Sequence, residues 1–146
     1  MANINKTATI KRVKKFFESD LEKYKTVCAS AGTIKAVNYE NIKVTSSTNP
    51  SATSERILAL MNYQAWLKCA TNAINNCIDT PKKPYKTILE LRYIQEVPVW
   101  QIVKKLNYSD KSTRRKTHDA FLNFADMFLL EQINQDVKDI LDLHRY

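Results

Sequence analysis

Between Pro98 and Phe128 the chain reads PVWQIVKKLNYSDKSTRRKTHDAFLNFADMF. The stretch predicts two helices with a break at Leu106-Asn107-Tyr108-Ser109. Before the break, Val99, Ile102, Val103 and Leu106 recur at steps of three and four and make one apolar stripe, and Pro98 suits a first helical turn. After it, Thr117, Phe121, Phe124 and Phe128 share a face that must be buried. At about 100° per residue, Lys111, Arg115 and His118 fall on or near the opposite side, with Arg114 and Lys116 on the flanks. Ser109 is placed to cap the second helix, and Asp110 in its first turn faces the positive end of the helix dipole.

The whole chain fits an all-α fold. In 146 residues there is one glycine and there are four prolines, too little punctuation for an all-β protein. The net charge is +8 and the pI about 9.4, which points to a polyanionic partner. From Lys82 to His118 ten lysines and arginines face three acids, Glu90, Glu96 and Asp110, whereas after His118 six acids face two bases, Lys138 and Arg145. Cys28, Cys69 and Cys77 are odd in number and widely spaced, and the only histidines are His118 and His144. A zinc site or a disulfide framework does not fit that pattern, and reduced, partly buried thiols do. No apolar run reaches the roughly 20 residues of a membrane span, and the amino terminus lacks an apolar core of signal-peptide type, so a cytoplasmic protein is expected.

Working outward, residues 1–28 hold Ile10, Val13, Phe17, Leu21 and Tyr24 at helical spacing, an amphipathic helix with Lys11, Arg12, Lys14 and Lys15 on its polar side. Residues 29–53 carry the only glycine and many Ser, Thr and Asn, and are expected to be a linker or long loop, in which Ile34–Val37 and Ile42–Val44 could form short extended pieces. From Ser54 a long helix is predicted to bury Ile57, Leu60, Met61, Gln64, Leu67, Thr71, Ile74 and Ile78 and to stop at Asp79-Thr80-Pro81. A further helix from Pro84 or Tyr85 to about Gln95 leads into the opening stretch, so that 54–128 forms the main helical domain. Beyond Phe128, residues 129–146 keep Leu130, Ile133, Val137, Ile140 and His144 at steps of three and four. This predicts a helical extension near the end of the chain, covered either by the amino-terminal helix or by a second copy.

No Gly-rich phosphate loop, GxSxG or HExxH is present, and the carboxylates outside the acidic tail do not cluster, which argues against an enzyme. No cofactor, metal or catalytic residue is expected. A helix that opens on Lys111, Ser112, Arg114, Arg115 and His118 instead has what the major groove of duplex DNA asks for, since arginine can fork onto guanine while lysine and serine take phosphates. Early positions of the second helix of a helix-turn-helix are the ones that meet base edges. Ser109, at the tip of that helix, and Lys104 and Lys105, at the end of the first, complete the expected DNA-contact set.

The pattern L-x-L-R-Y, W-x-I, L-x-Y-S and A-x-x-x-F-A, carried here by Leu89, Leu91, Arg92, Tyr93, Trp100, Ile102, Leu106, Tyr108, Ser109, Phe121, Phe124 and Ala125, resembles the ArpU family of phage and prophage transcriptional regulators. It is similar, more distantly, to region 4 of sigma factors. The resemblance covers about residues 55 to 128. It implies a helical bundle containing a helix-turn-helix, promoter DNA as partner, late or lysis-related phage genes as targets, and the cytoplasm of a bacterial host as location. RNA polymerase and a second copy of the chain are the further partners it allows, and no membrane is involved. Two other readings share the pattern: a small terminase-like DNA recognition subunit, and a sigma-like adaptor that docks on polymerase without reading DNA.

Overall fold

The computed structural model describes residues 3–37 and 50–146, and the backbone alone over 30–37 and 50–54. The fold is all-helical. Helix α1 (Lys6–Lys15) passes through a π-helical turn at Phe16–Asp20 into α2 (Leu21–Val37), and α3 (Pro50–Asn76) follows. After a loop come α4 (Tyr85–Leu89), a second π-helical turn (Glu90–Ile94), α5 (Val99–Leu106) and α6 (Asp110–Asn134). Among the described residues there is no strand beyond an isolated bridge between Asp79 and Pro84.

Helix α6 is the axis of the molecule, with α1, α3 and α4 packed along it and α2 lying on α3. Its apolar face is the one its sequence predicts: Thr117, Phe121, Phe124 and Phe128 are all buried. Against this face the π-helical turn sets two neighbours, Phe16 and Phe17, which both point inward. Adjacent residues of an α-helix diverge by about 100°, and the wider turn lets both phenylalanines reach the core. The result is an aromatic stack in which Phe16 lies 5.1 Å from Phe128 and Phe17 lies 4.6 Å from Phe124, while Tyr93 stacks on Phe17 at 4.3 Å.

Several expectations are corrected here. The stretch 29–53 is not a linker throughout, because α2 continues to Val37 and α3 already starts at Pro50; Ile34–Val37 is therefore helical, and Ile42–Val44 lies outside the described residues. Of the two covers expected for the far end of α6, the chain uses its own amino-terminal helix, since Val13, Phe16, Phe17, Leu21 and Tyr24 belong to one core with Phe124, Phe128 and Leu143. The buried face of α3 is rotated from the predicted one. Ile57 and Met61, with Ile78 just past the helix, are 47%, 56% and 42% exposed, whereas Cys69, Ala70 and Ala73, with Cys77 just past the helix, are buried alongside Ile74, which is buried as expected. Small side chains let α3 approach α6 closely, which a search for large apolar residues overlooks.

The carboxy-terminal extension is not a helix to its end. Helix α6 stops at Asn134, where Asp136 takes a left-handed conformation (φ 56°) and the amides of Asp136 and Val137 bond back to Ile133 and Gln132. This is a Schellman-type stop, with an aspartate doing what glycine usually does. The chain then returns along α6. The buried amide of Gln132 both donates to and accepts from the backbone of Leu141, at 2.9 and 2.7 Å. Trp66 donates its indole N–H to the carbonyl of Asp139, and Arg145 bonds through its backbone to Asn5 and Thr9 at the start of α1. Leu143 and His144 are buried by this return, so the tail covers its own chain, and α1 packs on α6 from within the same molecule.

The three cysteines are free, Cys69 and Cys77 buried and Cys28 half-buried. Burial, aided by the nearby Asp126, pushes the Cys77 thiol up to about 12, which keeps it protonated and unreactive.

Candidate nucleic-acid interface

Helix α5 ends at Asn107, whose left-handed conformation (φ 58°) reverses the chain, and Ser109 starts the next helix. Asparagine tolerates that conformation at low cost. The Ser109 hydroxyl accepts from the amide of Ser112 at 3.1 Å, so the sequence-predicted cap is formed. Ile102 of α5 is fully buried, while Leu106 and Val103 are half-buried and Val99 is exposed.

Beyond the cap, Thr113 and Thr117 bury the back of α6 and leave its first turns to carry charge. Lys111, Arg114, Arg115 and His118 are exposed and Ser112 is half-buried. These residues do not form one patch. Arg114 and His118 line a groove of about 340 Å³ between α1 and the start of α6, together with Lys14 and Ile10 of α1, Arg92, Val99 and Val103. Lys111 and Arg115, one turn apart, lie outside it. Two acids sit among these cations: Asp110 lines the groove, and Asp119 is exposed one turn after Arg115.

Lys116, at the end of the basic run, faces elsewhere. Its ammonium donates to the carbonyl of Lys82 at 2.6 Å and lies 4.6 Å above the Tyr108 ring. The Tyr108 hydroxyl donates to the carbonyl of Pro81. These contacts fasten the loop between α3 and α4, with Lys82 and Lys83 exposed on it, to the side of α6. A tight turn closes that loop, Thr80 and Lys83 exchanging backbone hydrogen bonds at 3.1 Å and Thr87 donating to Asp79 at 2.7 Å.

On α5, Lys104 and Lys105 are exposed, and the Lys104 ammonium sits 5.2 Å above the ring of Trp100. Trp100 is 59% exposed, unusual for so large an apolar side chain, and Val99 and Ile94 are exposed near it in sequence. Of the sequence-predicted residues, the fold thus gathers Arg114 and His118 in a groove, puts Lys111, Ser112, Arg115 and Ser109 on the open start of α6, and holds Lys104 and Lys105 on α5. Lys14 and Arg92 lie outside the expected DNA-contact set. Arg92 lies over the rings of Tyr93 and Phe121 at 5.3 and 5.7 Å, with Glu18 at 3.9 Å. The basic face of the amino-terminal helix was visible in the sequence, but its position beside α6 depends on long-range packing of Phe16 and Phe17.

No helix among the described residues is long and apolar enough to cross a membrane. The chain matches no protein-family model, no curated protein and no solved structure.

Proposed function

We propose that this chain is a DNA-binding transcriptional regulator of phage or prophage origin, without enzymatic activity, acting in the cytoplasm of a bacterial host. One observation carries the reading: a short helix, a left-handed Asn107 and a capped second helix bring Lys111, Arg114, Arg115 and His118 to the exposed first turns of α6, while the back of that helix is locked into the core. This is the arrangement a helix-turn-helix needs in order to lay its second helix in the major groove. Lys82 and Lys83 on one flank and Lys14 on the other supply further positive charge for the phosphate backbones. The resemblance of residues 55 to 128 to the ArpU family agrees with it and suggests promoters of late phage genes.

The test is a footprint on the DNA flanking the gene, followed by titration of the protected duplex. Arg115→Ala relaxes base preference, because a forked donor is lost. Lys104→Ala weakens binding on all sequences and reduces the salt slope by about one unit. Equal losses from both variants on every duplex would sink the reading.

A second reading draws on the exposed Trp100, Val99 and Ile94. An aromatic anchor flanked by aliphatic side chains is typical of a protein contact, so α5 in this reading docks on RNA polymerase. Absence of any binding to random duplex at low salt favours it over the first.

A further inference from the structure

The groove beside α6 has features that a contact with backbone phosphate does not use. Its apolar lining comes from Ile10, Val99, Val103 and Phe121, and its charged lining from Lys14, Arg92 and Arg114 against the single carboxylate of Asp110. Glu18 offsets part of the charge on Arg92 from 3.9 Å. Thr113 also lines it, is only 2% exposed, and its hydroxyl has no hydrogen-bond partner. Leaving a buried hydroxyl unpaired is unfavourable, so a ligand that supplies an acceptor there gains by more than its own contact. The volume of about 340 Å³ lies at the lower end of small-molecule sites.

We infer that this groove binds a small organic anion, a carboxylate or phosphate head on a short apolar body. The head is met by Lys14, Arg114 and His118, the body lies on Val99, Val103 and Phe121, and the Thr113 hydroxyl, covered by its neighbours, donates to the head once its side chain turns toward the groove. A bare phosphate would satisfy the cations and leave the apolar floor wet; a neutral hydrocarbon would do the reverse. Arg114 and His118 also belong to the proposed DNA face, so an occupied groove opposes DNA binding, and DNA opposes the ligand by the same factor. That coupling rests on the regulator reading; the binding itself does not.

The experiment needs no DNA at first. The full-length protein is titrated with 4-phenylbutyrate, with 4-phenyl-1-butanol and with inorganic phosphate, and amide and imidazole chemical shifts are followed. Phenylbutyrate is expected to saturate, to move Lys14, Val103, Thr113 and His118, and to bind about tenfold tighter than either control. Arg114→Ala weakens it several-fold, and Thr113→Val weakens it while the melting temperature holds or rises, which separates a lost site from a lost fold. Absence of a saturable shift, or equal binding by the alcohol or by phosphate, overturns the inference. In a second arm, saturating phenylbutyrate weakens binding to the footprinted duplex. Unchanged DNA affinity with the probe bound overturns the coupling, and failure of the protein to bind any duplex while the probe still binds overturns the regulator reading instead.

Discussion

His144 Nε2 lies 2.7 Å from Asp126 Oδ1, and its Nδ1 lies 2.6 Å from Asp142 Oδ1, so a buried ring near the end of the chain spans two carboxylates. A neutral imidazole has one donor and one acceptor, and only the doubly protonated ring can serve both partners. This contact closes the returning tail onto α6, and Arg145 beside it ties the tail to the start of α1.

The latch makes stability depend on pH. Burial alone would push the His144 ring toward its neutral form, but the bonds to Asp126 and Asp142 outweigh it and hold the pKa above its ordinary 6.5. The stabilisation is therefore complete below about pH 6.5 and is lost as pH rises through the higher folded value. Asp142 is also opposed by burial, yet its bonds to His144 and Tyr146 set its pKa below the ordinary 3.8, so that part is present above pH 3.8 and lost on further acidification. The melting temperature should fall as pH rises above about 6.5, and Asp126→Asn should flatten that fall. Because Asp126 is largely solvated, the variant should cost about 1 kcal/mol near pH 6. An identical pH profile in His144→Gln would show that the latch contributes nothing.

Phe16 tests whether α1 and α6 share one core. Its ring is fully buried and touches Phe17, Tyr24, Phe124 and Phe128. Truncation to alanine should cost about 3–5 kcal/mol, in line with large aromatic deletions elsewhere. It should do so in one transition, with helix content and tryptophan fluorescence lost together. Two separate transitions would mean that the amino-terminal helix folds apart from the rest.

The start and back of α6 were legible in the sequence because local chemistry decides them. Asn107 can turn left-handed, Ser109 can cap, and phenylalanines at helical spacing must be buried. What escaped depends on contacts between distant segments. The closeness of α3 to α6 is set by Ala70 and Ala73, which carry little hydrophobic signal, and the double burial of Phe16 and Phe17 requires a π-helical turn that no periodicity announces. The tail reads as a continued helix because Leu130, Ile133, Val137, Ile140 and His144 recur at steps of three and four. Gln132 and Asp136 instead end the helix and bind the returning strand of chain. The groove was hidden for the same reason: Lys14 and Arg114 are a hundred positions apart in the sequence.

Ser109→Ala removes the acceptor for the Ser112 amide and should cost about 1 kcal/mol of stability. Under the regulator reading its effect on DNA binding is indirect. The first turn of α6 frays, so affinity drops on preferred and random duplex alike, and the slope of affinity against salt stays that of the parent. A slope reduced by about one unit would mean that the hydroxyl itself contacts phosphate.

Lys116 and Lys111 look alike in the sequence, both cations in one basic run, yet their surroundings assign them different work. Lys116 bonds the carbonyl of Lys82 at 2.6 Å and covers the Tyr108 ring, whereas Lys111 is exposed at the open start of α6. Lys116→Ala should therefore cost about 1–2 kcal/mol, from a charged hydrogen bond and a cation–π contact. Lys111→Ala should stay within about 0.5 kcal/mol of the parent, as exposed substitutions do. Loss of Lys116 should also loosen the loop it fastens, so the amides of Thr80 and Lys83 exchange with solvent faster while those in the middle of α6 keep their protection. Hydrogen exchange on both variants decides the matter: faster exchange at Thr80 and Lys83 in Lys111→Ala, or its absence in Lys116→Ala, contradicts the assignment.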